Sequence, residues 1–183
     1  MGQDLDRFLK AQQVFYKDAL EEIRQGQKQS HWMWFIFPQI TGLGRSETAQ
    51  YYSIADLQEA KAFLDDKVLG GNLREISEAL LEVESDNAEE VMGWPDDMKL
   101  KSSMTLFFEA DPDCEVFQKV LDKFFNGEKD QIYNFVSDYM DGAITREQFW
   151  VLAKFKYPTH QINFCTEKAL ECLEYRGCEV IGL

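Results

Sequence analysis

No stretch of this sequence stays apolar for long. The longest uninterrupted hydrophobic run lies within Trp32–Phe37, far short of the roughly 20 residues that a membrane-spanning helix needs, so no membrane partner is expected. The opening Met1-Gly2-Gln3-Asp4-Leu5-Asp6 has neither the basic region nor the apolar region of an export signal, which makes the cytoplasm the expected location. Cysteines are few and scattered: Cys114, Cys165, Cys172 and Cys178 form no C-x-x-C pair, so free thiols are expected rather than a disulfide framework. His160 with the last three cysteines supplies zinc-ligand types without the tight knuckle spacing that orients two thiolates, and no metal is expected. Basic residues are also scarce, 19 against 33 acidic, for a formal net charge of −14. A duplex presents about one negative charge per 1.7 Å and needs a basic stripe to offset it. None is visible, which argues against a nucleic-acid partner. A small anion is a different matter, because distant carboxylates are screened beyond about 8 Å at physiological salt and the groups lining a pocket decide.

What the chain does have is enough apolar material for a core. Its 183 residues are 45% hydrophobic and 14% aromatic, too apolar for a disordered chain. Period-two alternation is nearly absent, whereas helical stripes and caps recur. Leu5, Phe8, Leu9, Gln12, Phe15, Tyr16, Ala19, Leu20 and Ile23 make one wide stripe, with Asp4 and Gly26 at its ends. Ser46 stands before a second helix start, Asp56–Leu64 and Val68–Val83 read as helices, and Asn87 caps a short turn that Gly93 stops. Pro95 opens a helix to about Glu109, and Asp113 is the expected cap of the next, which Gly127 closes. Further helices are expected over Asp130–Met140, Phe149–Tyr157 (behind the capping box Thr145-Arg146-Glu147-Gln148) and Thr166–Arg176, with a short strand at Cys178–Ile181. The fold class is therefore an all-α bundle of about eight short helices. The break at Asp141-Gly142 divides residues 1–140 from a C-terminal appendage, 141–183, expected to dock on the bundle because about 40 residues rarely form a core alone.

Two segments carry polar groups that helix propensity does not require. In the first, Lys28-Gln29-Ser30-His31 leads into Trp32-Met33-Trp34-Phe35-Ile36-Phe37, and Gly42-Leu43-Gly44-Arg45-Ser46 follows. The aromatics need burial, one tryptophan can stack on a ligand ring, and His31 is the side-chain type that acid–base chemistry most often uses. The glycines match no phosphate-loop pattern and mark a turn, while Arg45 beside the helix start at Ser46 favours an anionic group. In the second, Asp96-Asp97-Met98-Lys99-Leu100-Lys101-Ser102-Ser103-Met104-Thr105 brings Lys99, Ser102 and Ser103 within about one helical turn. His31 and Lys99 are thus the candidate catalytic residues. Lys28, Trp34, Arg45, Ser46, Ser102 and Ser103 are the candidate ligand contacts. No hydrolase triad, S-x-x-K motif or cofactor fingerprint is present, and no cofactor is expected.

The same residues carry a family resemblance. Asp6-Arg7-Phe8, Ala11-Gln12, Gly26-Gln27-Lys28, Ser30-His31-Trp32-Met33-Trp34-Phe35-Ile36-Phe37-Pro38-Gln39, Gly42-Leu43-Gly44-x-Ser46 and Asp97-x-Lys99-Leu100-x-Ser102-Ser103-Met104-Thr105-Leu106-Phe107 resemble the bacterial and fungal proteins grouped as domain of unknown function 1810. The resemblance runs over about residues 4 to 130. It implies a compact all-α fold and no established activity. Many members have His-Pro before Val-Leu-Gly, where this chain has Asp66-Lys67-Val68-Leu69-Gly70, so a histidine there plays no part in any chemistry of this protein. Two functional classes follow. One is a small-ligand protein in which the two polar segments converge on an anionic group, nucleotide or ADP-ribose-like. The other is a helical protein-interaction module without catalytic activity.

Overall fold

The computed structural model of the chain describes residues 5–43 and 46–131. Among the described residues there are eight helices: α1 (Asp6–Arg24), α2 (Met33–Ile36), α3 (Glu47–Tyr51), α4 (Leu57–Asp65), α5 (Leu69–Glu82), α6 (Ala88–Met92), α7 (Asp96–Ala110) and α8 (Glu115–Phe125). The fold is all-α, as the stripes and caps require. The only extended pairing among these residues is an isolated parallel bridge between Ile40 and Ile54. The helices expected beyond Gln131, the strand at Cys178–Ile181 and the appendage from Asp141 lie outside the described residues.

The 3.6-residue period of α1 puts Phe8, Ala11, Gln12, Ala19, Leu20 and Ile23 on its buried side. That side packs on α5, which also touches α4 and α8, while α7 packs on α4, α6 and α8. Rings tie these layers together: Phe8 to Phe63 at 5.1 Å, Phe63 to Phe107 at 5.3 Å and Phe107 to Phe117 at 5.9 Å between centroids. The spacing suits edge and tilted aromatic pairs, and the row crosses from α1 through α4 and α7 to α8.

Side-chain N-caps hold three of the eight described helices. Ser46 accepts from the Ala49 amide, Asp56 from Glu59 and Asn87 from Glu89. At α8 the expectation is corrected. The N-cap is Cys114, without a side-chain bond, and Asp113 lies one residue too early.

The C-terminus of α5 is capped from another helix. Lys123 of α8 directs its ammonium at the carbonyls of Leu80 at 3.1 Å and Leu81 at 3.0 Å, and also bonds that of Val83. These last-turn carbonyls have no partner within their own helix, and a cation there also meets the negative end of the helix dipole. Burial lowers the Lys123 pKa, against the opposing effect of Asp86. Lys123→Met keeps the aliphatic stem and removes the charged donor. It should destabilise the protein by about 2 kcal/mol in chemical denaturation, and an unchanged midpoint would show that the cap contributes nothing.

Candidate functional site

The site begins with the way α1 ends. Gly26 has φ +83°, a conformation that glycine adopts without strain, and its amide bonds to Ile23 O while that of Gln27 bonds to Glu22 O. This paired Schellman closure reverses the chain and lays residues 27–32 back against the last turn of α1. Glu22 then gathers the returning segment, accepting from the amides of Gln29 and Ser30 at 2.7 and 3.0 Å, the Ser30 hydroxyl at 2.5 Å and the Trp32 indole at 2.8 Å. The Lys28 amide bonds to Val91 O of α6 at 2.7 Å, which fixes the segment against the turn leading into α7.

Across that turn, Asp96 occupies the first position of α7. Its two carboxylate oxygens are shared between two cations: Lys28 Nζ lies 2.8 Å from Oδ2 and Lys99 Nζ 2.7 Å from Oδ1. Lys28 also donates to Ser30 O at 2.7 Å. Each ammonium lies near an indole, Lys28 at 5.1 Å from the Trp32 ring and Lys99 at 5.4 Å from that of Trp34, both within cation–π range. The Lys28 side chain is 9% exposed, Asp96 17% and Lys99 25%, so the arrangement opens to solvent on the Lys99 side.

Both carboxyls are held below their ordinary range. Burial pushes Asp96 up, but the hydrogen bonds and charges of Lys28 and Lys99 outweigh it. Burial likewise raises Glu22, and the Ser30 hydroxyl, the Gln29 and Ser30 amides and the Trp32 indole together overcome it. A carboxyl with a depressed folded-state pKa contributes stability that is complete above its unfolded value, about 4, and is lost as pH falls through its folded value. Urea denaturation from pH 5 down to pH 3 should therefore show falling stability, with a smaller loss in Glu22→Gln. An equal loss in that variant would mean that the Glu22 cluster has no share in the acid response.

The expected site residues divide into groups. Lys28, Lys99 and Trp34 come together around Asp96. His31 is exposed on the returning segment, one residue from both Ser30 and Trp32. Ser46 is exposed and caps α3, while Arg45 lies outside the described residues. Ser102 donates to Met98 O at 3.2 Å and bonds Asp130, and Thr105 accepts from the Asp130 amide at 2.9 Å. These hydroxyls therefore fasten the chain leaving α8 to α7. Ser103 is fully buried with no hydrogen-bond partner for its hydroxyl.

The expected burial of the aromatic run needs one correction. Trp32, Met33, Phe35, Ile36 and Phe37 are buried, but Trp34 is half-buried, because the single turn of α2 has an outer side and residue 34 occupies it. Asp96 and Glu22 were not among the expected site residues. For Asp96 a signal existed, a carboxylate three residues before Lys99 on a helix; for Glu22, whose partners arrive only after the Gly26 reversal, there was none. Among the described residues, no group of three or more His, Cys, Asp or Glu side chains is placed to hold a metal ion, and no helix is long and apolar enough to cross a membrane.

An all-α bundle in which a reversed α1 terminus carries Lys28 and Trp32 to the start of α7 defines the class. The chain belongs to the family described as Protein of unknown function (DUF1810), whose model matches residues 2–134. A second family model, Protein of unknown function (DUF3990), matches residues 124–175. Among solved structures, the chain is similar to the conserved hypothetical protein Rv1873 from Mycobacterium tuberculosis, with 44% identity and a TM-score of 0.70 over 71% of this chain and 93% of that one. No curated protein matches the chain.

Proposed function

We propose that this protein binds a small anionic ligand, a nucleotide or an ADP-ribose-like molecule, at the Lys28–Asp96–Lys99 cluster, and that it does so in the cytoplasm. One observation carries the reading: in a chain of net charge −14, two lysines converge on a single carboxylate, with an indole beside each. The local charge of the three groups is positive. The open side, at Lys99 and the half-buried Trp34, is where a ligand would meet both a cation and a ring face. Trp94 and Met98, 75% and 47% exposed, stand on the approach to α7 and on its first turn, the helix that carries Asp96 and Lys99. His31 is the acid–base group available on the neighbouring segment.

The test is calorimetric titration of the protein with AMP, ADP and ADP-ribose. Charge-assisted hydrogen bonds contribute about 1.5–3 kcal/mol each, so Lys99→Ala should weaken binding of whichever compound binds by at least about tenfold, and Ser46→Ala should have little effect. Unchanged affinity in Lys99→Ala would sink the assignment of the site.

The second reading, a protein-interaction module, has its own support. Phe15 and Tyr51 are 46% and 58% exposed and are linked through Phe35 and Tyr52 by one tilted and two edge-on ring contacts at centroid distances of 5.5, 5.2 and 4.9 Å. A partner held on those rings would be lost in Tyr51→Ala and indifferent to Lys99→Ala.

A further inference from the structure

We propose that Asp96 is a resident counter-ion which the ligand's anionic group must replace, and that the site therefore selects a group carrying two negative charges on one centre, a terminal phosphomonoester in preference to a phosphodiester. The inference rests on the anion-binding reading above and narrows its ligand class: AMP and ADP end in a group of this kind, whereas the two phosphates of ADP-ribose are both internal, carry one charge each and are disfavoured. Lys28 and Lys99 present their ammonium groups to the two oxygens of one carboxylate, at 2.8 and 2.7 Å. That is the two-point presentation that adjacent oxygens of a tetrahedral oxyanion also require.

The charges settle which oxyanion benefits. Two ammonium groups and one carboxylate leave a single positive charge. A monoanion that takes the place of Asp96 exchanges one negative charge for another and gains little. A phosphomonoester, at about −1.5 to −2 near neutral pH, neutralises both lysines. Asp96 is suited to yield: it has a short stem at the first position of α7, and its backbone amide is anchored independently on Gly93 O at 2.8 Å. The lysine positions also have supports of their own. Lys28 keeps its bond to Ser30 O when the carboxylate leaves, and Lys99 keeps the Trp34 ring beside it. Glu22 does not compete for the cations, since its oxygens are occupied by four donors from Gln29, Ser30 and Trp32.

The test is titration of the full chain with AMP and with 3′,5′-cyclic AMP, which share a base and differ in carrying a monoester or a diester. The wild-type protein should bind AMP at least about tenfold more tightly. Asp96→Asn, with the resident charge gone, should bind both more tightly and cyclic AMP by the larger factor, so that the preference narrows. Equal affinities in the wild-type protein overturn the inference whether or not the variant folds. Weaker binding in a folded Asp96→Asn overturns it too, because Asp96 would then be aligning the lysines for the ligand. If neither nucleotide binds either protein, the anion-binding reading itself falls, and the inference with it.

Discussion

Gly70→Ala should destabilise the protein by about 3 kcal/mol or more, at or beyond the upper end of ordinary overpacking penalties. A Cβ at Gly70 would stand 2.0 Å from Leu64 O, 2.7 Å from Leu64 C and 2.8 Å from an Arg74 guanidinium nitrogen. The first two are backbone atoms at the end of α4, so no rotamer change relieves the clash. The end of α4 and the first turn of α5 have to separate, and Arg74, which donates to Leu64 O at 3.2 Å, has to move with them. For a chain of this length the loss corresponds to a melting temperature lower by roughly 10 °C. Gly71→Ala is the matched control, since a Cβ there meets nothing within 4 Å. Replacing glycine by alanine inside an open helix position should stabilise by about 0.5–1 kcal/mol. Equal melting temperatures for the two variants would mean that α4 and α5 do not approach each other as described.

The contrast between these adjacent glycines marks what the sequence could and could not disclose. Val68–Val83 reads correctly as a helix from its apolar period, and the observed α5, Leu69–Glu82, differs by one residue at each end. Periodicity reports which face of a helix is apolar, but not which backbone atom of another helix comes up against it, so nothing local separates Gly70 from Gly71. The site follows the same division. Lys28 and Lys99 were legible as polar groups that helix propensity does not require, and Trp34 as one of a run of aromatics that need burial and can also stack on a ligand ring. Their convergence depends on the left-handed Gly26, which turns the chain, and on Asp96, whose role is defined by a lysine from a distant segment. Ser102 and Thr105 show the converse. Ser102, a candidate ligand contact beside Lys99, and Thr105, which is not one, each donate a hydroxyl to a carbonyl four residues back, Met98 O and Lys101 O, and each is also bonded to Asp130. Hydroxyls on a helix have that local alternative wherever they fall, and a sequence pattern does not reveal which use prevails.

Breaking the ion pair between Arg7 and Glu59 should cost about 3–5 kcal/mol, the range for removing one partner of a buried pair. The pair joins α1 to α4 at 2.6 Å, with side chains only 10% and 5% exposed, so neither charge has water to fall back on. The same guanidinium donates to Ser53 O at 3.0 Å and lies 4.3 Å from the centre of the Phe8 ring. The other oxygen of Glu59 accepts from the Ala55 amide at 2.5 Å. Together these contacts hold the loop after α3 against both helices. Glu59→Met takes the Glu59 carboxylate from a buried guanidinium, and Arg7→Met takes the Arg7 charge from a buried carboxylate. Combining the two removes both desolvation costs, so the double variant should lose far less than the sum of the singles, a coupling large enough to be read in a urea double-mutant cycle. Recovery should stay incomplete, because Ser53 O and the Ala55 amide lose their partners in the double variant and an unmatched buried polar group costs about 1–3 kcal/mol. Additive losses would overturn this account: each side chain would then act through its own packing, and the charges would contribute nothing by being paired.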